Sequence, residues 1–162
     1  TQSSSFSMDL KKWLQIMEAY EKGGHVYHTT MATDALKVLR NVMKETQSLG
    51  FASLKKQQVE LGTKVRNLLV SRGYHSVAAE GFQAPCVVVS YTKDPDIQSG
   101  KKFIALGMQT AAGVPLQCDE RPDFRTFRLG LFGLEKLAHI DRTVGHLEAA
   151  LEKITETEAQ PA

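Results

Sequence analysis

The chain has 162 residues, which suits one ordinary domain or a small domain with an extension. Apolar residues make up 42% and charged residues 23%, a balance that supports a packed core. The formal charge is only +2, and the longest basic runs are pairs (Lys11-Lys12, Lys55-Lys56, Lys101-Lys102), so the pattern argues against nucleic acid or an anionic membrane surface as partner.

Residues 1–8 are polar and Ser-rich and read as a linker or ragged end. Asp9 is a helix cap, and Leu10, Trp13, Leu14 and Met17 follow at helical spacing until Gly23-Gly24. A second helix starts at Thr30 or Thr33, carries Leu36, Leu39, Val42 and Met43 on one face, and closes at Gly50. A third runs from Ser53 to Gly73 with Leu54, Leu61, Val65, Leu68 and Leu69 inside. The Val-rich stretch Ala84 to Tyr91 predicts a buried strand. Asp94-Pro95-Asp96 starts a helix over 97–108 that Gly100 weakens. Thr110 to Leu116 predicts a short strand, and Cys118 to Asp123 a polar loop.

Arg125 to Phe132 predicts a strand in which Phe127, Leu129 and Leu131 face one way, and Thr126, Arg128, Gly130 and Phe132 the other. Ile140, Val144, Leu147, Leu151 and Ile154 then mark a final helix, the cleanest helical repeat in the chain. The tail 155–162 has little to bury and is expected to be disordered. This order predicts an α+β fold: a small, largely antiparallel sheet with helices packed on one face.

No segment approaches the roughly 20 apolar residues of a membrane helix. No signal peptide is expected, and the chain starts at Thr1 rather than Met, which suggests a processed chain or a fragment. Cys86 and Cys118 are too few for a disulfide scaffold and are expected to be reduced, in a cytoplasmic setting. No Cys-x-x-Cys, His-Glu-x-x-His, Gly-x-Ser-x-Gly or phosphate loop occurs, so no metal site is expected.

Two constellations carry chemistry. Tyr27-His28-Thr29-Thr30 lies just before a helix, whose free N–H groups and dipole favour phosphate. Its hydroxyls complete a phosphate receptor; alternatively, Thr30 caps the helix and Tyr27 packs beside it. The second is Phe127-Arg128-Leu129-Gly130-Leu131-Phe132-Gly133. Arg128 shares a strand face with Gly130, which leaves space for a carboxylate held by both arms of the guanidinium. The alternative is a solvated Arg paired with a surface acid.

These two stretches, in this order and separation, resemble class V pyridoxal-phosphate-dependent aminotransferases of the alanine–glyoxylate/serine–pyruvate kind. Such enzymes carry Tyr-His-(His/Thr)-Thr at the first helix of their small domain and Phe/Leu-Arg-Ile-Gly before the last helix. The likeness spans residues 6–154. It implies a linker and connecting helix over 1–26 and a small C-terminal domain over 27–154. It implies that Tyr27 and Thr30 contact the phosphate of pyridoxal 5'-phosphate across a homodimer interface, and that Arg128 binds the α-carboxylate of an amino acid or keto acid.

No residue here is implied to be catalytic. The family's Schiff-base lysine belongs to a large domain ahead of the matched stretch, so this chain alone is expected to be inactive. The loop from Pro115 to Phe127 is longer than the family's turn, and Gln109-Thr110-Ala111-Ala112-Gly113 replaces a more glycine-rich stretch. Two other readings compete. One is another class V enzyme, such as a phosphonate aminotransferase or a cysteine desulfurase, for which Cys118 fits better than Cys86. The other is a stand-alone α+β interaction module without catalysis.

Overall fold

The computed structural model describes residues 5–30 and 32–159, without the side chains of 157–159. The chain divides into two units, Thr1–Glu45 and Thr46–Ala162. The division falls inside the second helix, Thr33–Leu49.

The first unit holds helix α1 (Leu10–Glu21) and most of α2 (Thr33–Leu49). Asp9 caps α1 by accepting the Lys12 N–H at 3.1 Å. The face of α2 formed by Leu36, Leu39, Val42 and Met43 is where the sequence puts it, yet all four side chains are exposed, Leu39 at 55%. Leu10, Leu14 and Met17 on α1 are exposed too. Stripes of this kind are uncommon on a finished surface.

The second unit is built on a three-stranded antiparallel sheet of order β1-β3-β2: β1 (Val87–Tyr91), β2 (Ala111–Ala112) and β3 (Thr126–Gly130). Helices α3 (Phe51–Ser71), α4 (Pro95–Gln98), α5 (Lys101–Ala105), α6 (Leu134–Ala138) and α7 (Ile140–Ala159) complete it. The core joins Leu61, Val65 and Leu69 of α3 to Leu147, Leu151 and Ile154 of α7 over one face of the sheet. That face supplies Val88, Phe127 and Leu129, with Leu131 just beyond β3. Phe103 stacks on Phe127 at 5.7 Å between ring centroids, and Tyr74 meets the same ring edge-on at 5.4 Å. Burial of each large apolar side chain contributes roughly 1.5–3 kcal/mol. Lys64–Asp141 and Arg72–Glu152 tie α3 to α7 across the rim, a minor stabilisation at such exposure.

The α+β fold with helices on one sheet face is the one expected, but several boundaries move. The strand expected over 84–91 begins only at Val87. Upstream of it, Gln58 donates to the Pro85 carbonyl at 3.0 Å and Arg66 donates to that of Ala84, so α3 takes the hydrogen bonds a strand partner would have taken. The helix expected over 97–108 is two short ones, because Gly100 sits at φ +80° and breaks the run. Asp94 caps the first of these, accepting the N–H of Asp96 at 2.7 Å, with Pro95 at its first position. Beside β1, Val77 donates to the Val89 carbonyl and Tyr91 to that of His75, so residues 75–77 flank the sheet edge. Helix α7 continues to Ala159, into the segment expected to be disordered, because each residue added to a formed helix gains a hydrogen bond without a new nucleus.

The strand expected over 110–116 is only two residues long. Past Ala112 the chain presses Gly113 against Thr126, where a Cβ would run into the Thr126 carbonyl oxygen. Gly113→Ala is therefore expected to destabilise the protein by about 1–3 kcal/mol through overpacking. Gly145, inside α7, has nothing within 4 Å of an added Cβ and an ordinary helical backbone. Gly145→Ala should stabilise by about 0.5–1 kcal/mol. Urea midpoints at constant m-value measure both, and equal shifts of one sign would refute the packing of Gly113.

Candidate functional site

The stretch from His25 to Thr30 has no regular structure, and aromatic packing holds it within the first unit. His28 lies against Phe6, with centroids 4.2 Å apart, and meets Trp13 edge-on at 5.3 Å. The His28 Nε2 stands 3.4 Å from the Phe6 carbonyl, and the Trp13 indole N–H donates to the Ser7 carbonyl at 2.9 Å. Tyr27 and Thr30 point away from this clamp. The Tyr27 side chain is 79% exposed, and its hydroxyl is 3.5 Å from the Thr30 Oγ1.

The two expected phosphate-contacting residues are thus together. Helix α2 opens with the Leu36 N–H bonded to the Ala32 carbonyl at 3.0 Å. Among the described residues neither Thr30 nor Thr33 caps that helix through its hydroxyl, so Thr30 is not used in the way its alternative reading required. Asp34 in the first turn of α2 works against an anion there.

Arg128 belongs to the second unit and stands at the centre of the middle strand, opposite Val89 of β1 and Ala111 of β2. Its neighbours Phe127 and Leu129 are buried in the core, so strand alternation turns Arg128 to the other face. Its Nε donates to the Ala112 carbonyl at 3.0 Å, which fixes the plane of the guanidinium. Among the described residues no carboxylate lies within ion-pair distance and the two Nη groups have no protein acceptor. At Gly130, the next residue on that face, an added Cβ would meet only the Phe132 ring, at 3.6 Å. A fork of two N–H donors with no protein acceptor among the described residues can take a planar carboxylate end-on.

The loop joining β2 to β3 is organised by a residue that sequence patterning did not single out. The Glu120 carboxylate accepts three backbone N–H groups: Leu116 at 2.6 Å, Gln117 at 3.0 Å and Cys118 at 2.8 Å. These bonds lower its pKa from 4.5 to about 2, the Cys118 N–H contributing most. Gln117 and Asp119 take positive φ values of 58° and 62°, uncommon for residues with side chains, so that the chain can wrap the carboxylate. One of three acids in a polar loop containing Pro115 and Pro122, Glu120 carried no signal that set it apart in the sequence.

Cys86 and Cys118 are free thiols, half-buried and exposed respectively. Among the described residues no group of three or more His, Cys, Asp or Glu is placed to hold a metal ion, and no helix is long and apolar enough to cross a membrane.

No family model and no curated protein sequence matches the chain. Among solved structures it is similar to an alanine–glyoxylate aminotransferase from Nostoc sp., with a TM-score of 0.71 at 15% sequence identity. The match covers 93% of this chain but 39% of that one, so the chain spans well under half the length of the protein it resembles. The likeness is one of fold.

A depressed carboxylate pKa supports structure above the unfolded value and loses that support as pH falls toward the folded one. Order in the 115–124 loop should accordingly be full above pH 4.5 and decline toward about pH 2. Protection factors of the Leu116, Gln117 and Cys118 amides, from hydrogen exchange, should fall across that window while those of α3 persist. Glu120→Ala should show the low-pH pattern already at neutral pH. Unchanged protection in the variant would remove Glu120 as the organiser of the loop.

Proposed function

We propose that this chain is the C-terminal part of a class V pyridoxal-phosphate-dependent aminotransferase. It moves an amino group between a small amino acid, such as alanine or serine, and a small keto acid, such as glyoxylate or pyruvate. The observation that carries the reading is Arg128: a half-buried guanidinium, held by the Ala112 carbonyl, with its outer fork uncommitted beside Gly130. An arginine kept only for solubility would have no need of an anchored Nε.

Arg128 binds the substrate carboxylate and so fixes which way the amino group points. A lysine in its place offers one compact charge and cannot reproduce the two parallel hydrogen bonds. At the other motif, the Tyr27 and Thr30 hydroxyls converge within 3.5 Å, exposed and not spent on capping α2, and this arrangement fits a phosphate group. These two residues would hold the cofactor phosphate, with a helix N-terminus nearby and Asp34 in its first turn as an opposing charge. When bound, pyridoxal phosphate supplies the electron sink for the transfer. The Schiff-base lysine comes from a large domain ahead of this segment, and the segment alone is inactive.

The uncovered apolar faces of α1 and α2 fit this picture, since the large domain and the second subunit of a homodimer would cover them. The two free thiols, Cys86 and Cys118, fit a reducing, cytoplasmic setting.

In the full-length protein, Arg128→Ala should raise the KM for the amino acid about 100-fold, the worth of two charge-assisted hydrogen bonds. Arg128→Lys should not rescue it. An unchanged KM sinks the role of Arg128. Tyr27→Phe combined with Thr30→Val should weaken cofactor binding about tenfold, read from the absorbance of bound cofactor, and leave the KM for the amino acid unaltered at saturating cofactor. A native mass equal to 17.9 kDa, with no cofactor absorbance, would replace this reading by a stand-alone interaction module.

A further inference from the structure

A groove of about 980 Å³ opens in the second unit where the end of β1 meets the loop that leads into β3. Its size matches sites for small organic ligands, which run to roughly 1,000 Å³. Tyr91 and Phe124 line it and meet edge-to-face, 5.7 Å between centroids at 88°. Tyr91 is exposed.

The charges of the lining sort themselves by their partners. Arg121 pairs with Asp123 at 3.2 Å, and Glu120 is spent on three backbone N–H groups. Lys93 and Arg125 line the same groove, and among the described residues neither has an ion-pair partner. The Thr92 N–H bonds to the Arg125 carbonyl at 3.0 Å, which sets these two cations on adjoining strand ends. Asp119 is the one acid of the lining left without a partner of this kind among the described residues, so the three cations and three acids of the lining balance, and two of the cations, Lys93 and Arg125, are uncommitted.

We propose that this groove is a second binding site for a small aromatic carboxylate. The ligand's ring packs against Tyr91 and Phe124, and its carboxylate is held by Lys93 and Arg125. Aromatic faces favour a flat apolar ring, and uncommitted cations at its edge favour a charged substituent. The site is separate from Arg128, whose anchor is Ala112 on another stretch of the sheet. It does not depend on the proposed aminotransferase activity.

Cys118 lies in the lining and is exposed, which gives a local reporter. The full-length protein is titrated with 2-naphthoate by calorimetry, and alkylation of Cys118 by iodoacetamide is followed by peptide mass spectrometry. Saturable binding is expected to slow that alkylation about tenfold, while Cys86 is unaffected. Lys93→Gln and Arg125→Gln should each weaken binding about tenfold, the worth of a charge-assisted hydrogen bond. Both residues are on the surface, so the variants should keep the parent's unfolding midpoint. Arg128→Gln should leave Cys118 protection intact, which separates this site from the substrate carboxylate site.

The neutral analogue 2-naphthamide and the non-aromatic cyclohexanecarboxylate should each bind at least about tenfold more weakly. Binding that ignores both cation variants overturns the proposal. So does protection that vanishes with Arg128→Gln, or the absence of saturable protection up to about 1 mM ligand. A Cys118 that does not react at all in the folded protein also overturns it, because another part of the chain then covers the groove.

Discussion

Phe127 is fully buried at the centre of the second unit, packed by Phe103 on one side and by Tyr74 edge-on. Because side chains alternate along a strand, seating Phe127 and Leu129 in the core turns Arg128 away from it. A slip of one residue in the β3 register would bury the guanidinium and expose the two apolar side chains. That exchange would expose two large apolar groups and desolvate a charge, and the register is strongly specified as a result. The aim of Arg128 is therefore a by-product of core packing, achieved without any dedicated scaffold.

The edge strand β2 then completes the arginine's setting. It is only two residues long, and its Ala112 carbonyl takes the Arg128 Nε. What keeps so short a strand in place is the close approach of Gly113 to Thr126 on one side and the Glu120-centred loop on the other. A carboxylate that gathers three amides is a local substitute for the hydrogen bonds a longer strand would supply. The same loop forms one wall of the groove beside Tyr91 and Phe124, so its order bears on both the arginine and the second proposed site.

The first unit follows a different logic. Its chemistry-bearing segment has no helix or strand to fix it, and His28 between Phe6 and Trp13 takes that part. The ring contacts hold the backbone, which leaves Tyr27 and Thr30 free to face outward together. The apolar faces of α1 and α2 remain uncovered, in contrast to the dense core of α3, α7 and the sheet.

Periodicity alone located the core residues of α3, the ladder of α7 and the two faces of β3, since each is a repeat that burial enforces along the chain itself. The sequence likewise placed Tyr27 and Thr30 ahead of a helix and Arg128 beside Gly130, because spacing and residue type are local properties. Other features depended on residues far apart in the chain. Only the pressing of Gly113 on Thr126 shortened β2, and only α3 reaching Pro85 and Ala84 delayed the start of β1. The pairing of the Tyr27 and Thr30 hydroxyls, the wrapping of Glu120 and the placing of Lys93 and Arg125 along one groove were likewise decided in three dimensions. A repeat is written in one dimension, whereas a hydrogen-bond partner or a steric limit exists only once the chain has folded back on itself.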